Sequence, residues 1–212
     1  MLVIALCKGR FLDPSLEMLA RAGIRFSDDV ATSRKLIFES EDQRHRAVLV
    51  KPADVPVYVE HGIADCGIVG RDVLLESEAD VLLPLDLGIA RCRLVVAATD
   101  PTVITRAFGM LRVATKYSRI ASSHFGARGI PVEIIPLSGS VELAPALGLS
   151  DAIVDLVETG RTLKENGLTV VEVITESTGR LVVNRASYQL KAVEIARLTN
   201  ALKNALEGAT AA

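Results

Sequence analysis

Tryptophan is absent from this sequence and aromatic residues make up only 4% of it, although half of all residues are hydrophobic. The core must therefore be aliphatic, built from Val, Ile, Leu and Ala, which suits buried strands between helices. Net charge is also scarce: 24 basic residues oppose 26 acidic ones. No global field then favours nucleic acid, and any polyanion must be held by a local basic cluster. No apolar run approaches the ~20 residues of a membrane span. The N-terminal run MLVIALCKGR has its basic residues after the apolar ones, the wrong order for a secretory signal. A cytoplasmic protein with no membrane or nucleic-acid partner is expected.

Cysteine and histidine are few. Cys7, Cys66 and Cys92 are far apart and odd in number, which fits core thiols in a reducing compartment better than a disulfide framework. His45, His61 and His124 share no ligand spacing with cysteines or carboxylates, so no resident metal site is expected.

What is present is a regular alternation of strand-length apolar runs with helical patterns, the mark of α/β architecture with mainly parallel sheets. Strands are expected at 2–6, 35–39, 47–50, 64–69, 81–87, 93–98, 112–115, 132–135, 152–157, 169–175 and 180–184. Helices are expected from Asp13 (cap) and Pro14, with Leu16, Leu19 and Ala20 on one face, and from Pro52 to His61, with Gly62 as its cap. Others follow Gly70-Arg71-Asp72, span 118–128 and 140–147, and start at Thr162. A long terminal helix is expected over 187–206, with a frayed tail at 208–212. With 212 residues, so many strands suit two small lobes better than one sheet.

The chemistry concentrates in Asp151-Ala-Ile-Val-Asp-Leu-Val-Glu-Thr-Gly-Arg-Thr-Leu163. An apolar strand leads through a tight turn into a helix start. Glu158, Thr159, Gly160, Arg161 and Thr162 offer two hydroxyls and a run of backbone N–H groups, and Gly160 lets the backbone approach a ligand closely. The helix start adds unpaired N–H groups and the positive end of its dipole, together a phosphate cradle. A Thr-Gly-x-Thr alone is a weak signal, because such residues are common caps. Asp155, four residues before Thr159, strengthens it: a carboxylate there can accept from ribose hydroxyls while the 5′-phosphate enters the turn. Alternatively, Asp155 caps the loop or pairs with Arg161.

Glu142-Leu-Ala-Pro-Ala-Leu-Gly148, Ser150-Asp-Ala-Ile-Val-Asp155, Thr159-Gly-Arg-Thr-Leu163 and Asn166-Gly-Leu168 closely resemble the signature of ATP phosphoribosyltransferases. Ala5-Leu-Cys-Lys-Gly-Arg10, Gly62-Ile-Ala-Asp-Cys-Gly-Ile-Val-Gly-Arg-Asp72, Ala90-Arg-Cys-Arg-Leu-Val-Val96 and Leu181-Val-Val-Asn-Arg-Ala-Ser187 extend the likeness along nearly the whole chain, in the family's order. The resemblance implies an α/β fold of two lobes similar to type II periplasmic binding proteins, with a cleft between them. Lobe I would take residues 1–90 plus 180–212, and lobe II residues 91–179. It also implies the short form, a catalytic subunit that dimerises. Such a subunit forms a hetero-octamer with a regulatory subunit similar to histidyl-tRNA synthetase.

The implied reaction transfers the phosphoribosyl group of phosphoribosyl pyrophosphate to N1 of ATP, with Mg²⁺ on the pyrophosphate. Lys8, Arg10, Arg34 and Lys35 are the implied catalytic cations, offsetting phosphate charge. Glu142, Asp155, Glu158, Thr159, Gly160, Arg161 and Thr162 are the implied phosphoribosyl pyrophosphate site. Asp72 and Cys92 are candidates for the ATP site; the competing reading is an N-cap for Asp72 and packing for Cys92. Two rival functions stand beside this one. A non-catalytic two-lobed binding module would explain the fold but not the pairing of Thr159–Thr162 with Asp155. A nucleobase phosphoribosyltransferase would carry two adjacent acids before its Thr-Gly-x-Thr, where this chain has Asp155-Leu-Val-Glu158.

Overall fold

The computed structural model describes residues 1–26, 30–106 and 109–210, which form two compact units. Unit 1 comprises Met1–Ala90 and Thr178–Ala212; unit 2 is Arg91–Ser177. In chain order, unit 1 begins with β1 (Leu2–Cys7), α1 (Leu12–Arg21), β2 (Ile37–Glu39) and β3 (His45–Val50). It continues with α2 (Asp54–Glu60), β4 (Cys66–Gly70), α3 (Arg71–Ser77) and β5 (Leu82–Asp86). Unit 2 holds β6 (Cys92–Ala98), α4 (Val103–Arg106), β7 (Leu111–Thr115), α5 (Ser118–Gly126), β8 (Val132–Pro136) and α6 (Leu143–Ala146). It ends with β9 (Ala152–Val157), α7 (Arg161–Glu165) and β10 (Thr169–Ser177). The chain then returns to unit 1 for β11 (Gly179–Val183), α8 (Arg185–Leu190) and α9 (Ala192–Thr210).

The unit 1 sheet runs β2-β3-β1-β4-β11-β5 and the unit 2 sheet β10-β6-β9-β7-β8. In each, three adjacent strands are parallel: β3-β1-β4 within the first sheet and β9-β7-β8, ending at the edge strand β8, in the second. The flanking pairings are antiparallel, so the sheets are mixed and the expectation of mainly parallel ones needs correcting. Strand period alone carries no direction; β11 runs against both β4 and β5, and β6 against both β10 and β9.

Alternation along β1 shows how the core is made. Leu2, Ile4 and Leu6 join Leu19 of α1 and Ile195, Leu198 and Leu202 of α9 on one face. Ala5 and Cys7 join Val55 and Val59 of α2 on the other. In unit 2, Leu94, Val96, Val113 and Val154 pack with Phe125 of α5, whereas Val95, Ala97, Ile153 and Val157 pack with Ala144 of α6 and Leu163 of α7. Truncating a fully buried aliphatic such as Leu6 or Ile153 to Ala should cost about 2–5 kcal/mol.

Local differences from expectation have physical causes. Helix α1 starts at Leu12, before Pro14, and its buried face is Leu12, Ser15, Met18 and Leu19; Ala20 is exposed. The terminal helix is two helices, parted at Lys191, whose Nζ reaches the buried Asp65 carboxylate at 2.8 Å. Asp65 also accepts from Val3 N–H (2.8 Å) and the Ser187 hydroxyl (2.7 Å). Burial alone would raise its pKa, but these three donors outweigh it and hold the carboxyl below the usual range. Helix α9 continues past Gly208 to Thr210, and residues 211 and 212 of the expected frayed tail lie outside the described ones.

Candidate functional site

In open α/β sheets, ligands bind where loops leave the carboxyl ends of parallel strands. In unit 2 that edge is formed by the ends of β8, β7 and β9, with Thr115 opposite both Pro136 and Val154 in the register. Three loops emerge there: 116–117, 137–142 and 158–160. The edge thus gathers Glu142, Asp155 and Glu158–Thr162, all residues singled out in the sequence.

Asp155 lies on the face of β9 that carries Ile153 and Val157, because alternate residues share a face. That face packs on Val141, Ala144 and Leu163, which places Asp155 on the side of α6 and α7. Glu142 is the N-cap position of α6 and is half-buried; its side chain makes no cap hydrogen bond. At the next turn Gly160 has φ of 77°, the left-handed region that L side chains avoid. This conformation reverses the chain within one residue, so that α7 can start at Arg161. Leu163, the buried residue of α7, then anchors the turn to the core.

The Glu158, Thr159 and Thr162 side chains are exposed. The Thr159 hydroxyl lies 3.4 Å from the Arg161 N–H, and no side chain caps α7. Arg161 turns away along the helix, its Nε donating to Glu165 at 2.7 Å, rather than pairing with Asp155. Sequence reading missed Lys116 and Ser138-Gly139-Ser140, which share this edge. Lys116 is exposed, its ammonium 4.9 Å from the Tyr117 ring centre. Only strand register places them there, and the sole local signal was the small-residue run 138–140.

Unit 1 offers a basic counterpart at the carboxyl ends of β3, β1 and β4. Lys8 N–H donates to Val50 O (3.0 Å) and Leu49 N–H to Leu36 O (2.8 Å). These two bonds draw the Lys8–Arg10 turn and the Arg34-Lys35 segment to the same edge. Lys8, Arg10, Arg34 and Lys35 are all exposed. Lys51, directly after β3, and Arg71, directly after β4, join them; neither was singled out in the sequence. Gly9, with φ of 87°, makes the turn after β1.

Asp72, in the first turn of α3, is only 2% exposed. The Cys7 thiol is pushed up to about 12, first by burial and then by the Asp72 charge, with Arg10 opposing. Arg10 and Asp72 therefore both lie within electrostatic reach of this thiol. Cys92 opens β6 of unit 2 and is 3% exposed, its Sγ 3.7 Å from Ser177 O. Among the described residues no group of three or more His, Cys, Asp or Glu is arranged to hold a metal ion, and no helix is long and apolar enough to cross a membrane.

Comparison with known proteins places this geometry in context. A family model described as "HisG: ATP phosphoribosyltransferase" matches residues 51–204. An ATP phosphoribosyltransferase of Sorangium cellulosum is 50% identical over 208 residues, covering 98% of this chain and 97% of that protein. One from Geobacillus kaustophilus is 50% identical over 202 residues, covering 95% and 97%. Among solved structures, the ATP phosphoribosyl transferase (HisG:HisZ) complex from Thermotoga maritima matches with a TM-score of 0.86 and 37% identity, covering 98% of this chain and 100% of that one. The periplasmic aliphatic sulphonate binding protein SsuA of Escherichia coli matches with a TM-score of 0.60 at 15% identity, covering 97% and 72%; that likeness concerns fold alone.

Proposed function

The chain belongs to the ATP phosphoribosyltransferase family, and from that premise we propose how its two loop-bearing sheet edges divide the work of the reaction. The enzyme transfers the phosphoribosyl group of phosphoribosyl pyrophosphate to N1 of ATP and releases pyrophosphate, the first step of histidine biosynthesis. The N1 lone pair forms the bond to the anomeric carbon while the carbon–oxygen bond to pyrophosphate breaks, and its electron pair leaves with pyrophosphate. N1 carries no proton, so no base is needed to start the attack. Rate then comes from positioning and from neutralising charge on the leaving group.

The turn at Gly160 supports a role in holding the 5′-phosphate. Its positive φ of 77° brings backbone N–H groups and the Thr159 and Thr162 hydroxyls to the exposed end of the sheet. Asp155, and Glu142 beside it on the α6 side, accept from the ribose hydroxyls; Glu158 lies at the rim. Arg161, held by Glu165, contributes through its backbone. The cations at the unit 1 edge (Lys8, Arg10, Arg34 and Lys35, joined by Lys51 and Arg71) act on polyphosphate, where guanidinium binds two oxygens and ammonium acts as a point charge.

Magnesium enters on the pyrophosphate as part of the substrate and keeps several waters, as is usual for this ion. Three buried cysteines without disulfides favour a cytoplasmic setting. The relative from Thermotoga maritima is a HisG:HisZ complex, which supports an analogous regulatory partner here, on a homodimer assembled into a hetero-octamer.

The observation that carries this reading is the turn of positive φ between β9 and α7, beside Asp155. The test is direct: ATP, phosphoribosyl pyrophosphate and Mg²⁺ are mixed with the protein, with and without its regulatory partner, and N1-phosphoribosyl-ATP is followed by absorbance. No product even with the partner supplied would refute it.

A further inference from the structure

The Lys8–Arg10 turn is exposed and held at a left-handed glycine, yet the next residue, Phe11, is only 4% exposed. Its ring occupies a slot that only glycines allow. Gly70 at the end of β4 and Gly179 at the start of β11 stand opposite each other in the antiparallel register. A Cβ on Gly70 would lie 3.1 Å from Phe11 Cζ, and one on Gly179 would lie 3.2 Å from Phe11 Cε1. Both are tighter than ordinary carbon contacts. Ile89 closes the slot beside Gly179, 2.7 Å from where that Cβ would stand. The Asp72 carboxylate closes it beside Gly70, with an oxygen 2.3 Å from the corresponding Cβ position. Two bare backbones thus close on the ring at its Cε1, Cε2 and Cζ rim. The Arg10 guanidinium carbon stands over the ring, 5.1 Å from its centre, within the range of a cation–π contact.

We propose that Phe11 is a positioning residue: clamped in the Gly70–Gly179 slot, its ring face orients the Arg10 guanidinium for work on substrate polyphosphate. The proposal rests on the assignment of Arg10 to the phosphate-binding edge. An exposed Arg samples many rotamers, and ordering it in advance on a rigid surface lowers the entropy lost when phosphate binds. Beneath the turn, Arg10 opposes the rise of the Cys7 thiol pKa, a second sign that its charge is held over this part of the sheet.

A double-mutant cycle tests this. R10A, F11L and R10A/F11L are purified with the regulatory partner, and kcat, KM for each substrate and melting temperature are measured. F11L should lower kcat/KM by roughly three- to thirtyfold, the weight of one cation–π contact. On the R10A background it should lower it no further. Equilibrium binding of ribose 5-phosphate, which offers the unit 2 turn a 5′-phosphate but carries no pyrophosphate for Arg10, should be unchanged in F11L, a readout that general damage would move. F11M, of similar volume but without a ring face, should reproduce F11L, and it stands in if F11L folds poorly.

Additive losses in the double mutant, or wild-type kinetics in F11M, overturn the positioning role while leaving the assignment of Arg10 intact. Wild-type kinetics in R10A alone overturn that assignment, and the positioning role falls with it.

Discussion

Gly160→Ala separates backbone strain from ligand contact at the turn proposed to hold phosphate. A Cβ at position 160 would find its nearest heavy atom, Val157 Cγ1, at 3.7 Å, an ordinary contact. The folded state therefore meets no clash, and the penalty is that of holding an L side chain at φ of 77°, about 1–2 kcal/mol. The unfolded chain loses freedom on the same substitution, which offsets about 0.4–1 kcal/mol. A net loss of about 1 kcal/mol remains, and in a chain of this size it lowers the melting temperature by roughly 2–4 °C. Gly160→Asn should recover much of that, since Asn visits the left-handed region more readily. Affinity for phosphoribosyl pyrophosphate should behave differently: on the proposed role of this turn either side chain projects toward the phosphate, so both variants should bind more weakly. Calorimetric melting and equilibrium binding, run side by side, read the two effects separately. An Ala variant that melts at or above the wild-type temperature would show that the turn is not strained, and the reasoning would fail.

Asp155→Asn and Thr162→Ala should weaken phosphoribosyl pyrophosphate more than ATP, by roughly 1.5–3 kcal/mol for a charge-assisted hydrogen bond. Equal losses for both substrates in competition binding would contradict the assigned pocket. Asp65→Ala should cost about 3 kcal/mol, because it strips Lys191, Val3 N–H and Ser187 of a common buried acceptor; urea denaturation measures it. The folded Asp65 carboxyl is held below its unfolded value, so its contribution is present above the unfolded pKa of about 3.9. That contribution is lost as pH falls through the lower folded one, and Asp65→Asn should flatten the stability profile there. Burial raises the thiols of Cys7 and Cys66. Iodoacetamide at pH 8 should therefore leave both unmodified by mass spectrometry until denaturant is added.

Much of the candidate site was legible because its parts are contiguous. Strand, Asp155, Gly160 and helix start lie within a dozen residues, and each leaves a local mark: apolar run, acid, glycine, hydroxyls. The basic edge of unit 1 was legible only in part. Lys8 and Arg10 stand in a turn, but Lys51 and Arg71 join them only through the pairing of β1 with β3 and β4, which no local pattern encodes. The break at Lys191 was hidden for a similar reason: it answers to Asp65, 126 residues away. Helix α4 (Val103–Arg106), a single turn, is too short for a periodic signal. Cys92, a candidate for the ATP site on its sequence context, has its thiol turned to the Ser177 carbonyl inside unit 2.

The place of β11 bears on how the newborn chain matures on the ribosome. Strand β5 pairs with β11 and β11 with β4, so these two earlier strands wait for a partner made roughly 90 to 110 residues later, about 5–20 s at ordinary translation speeds. Through that interval the wholly apolar rim of β4 is left open, an invitation to chaperones or to a neighbouring nascent chain. Unit 2, being continuous, can complete its sheet meanwhile. A premature stop just before Gly179 would thus spare the inserted unit and leave its host without the strand that closes it.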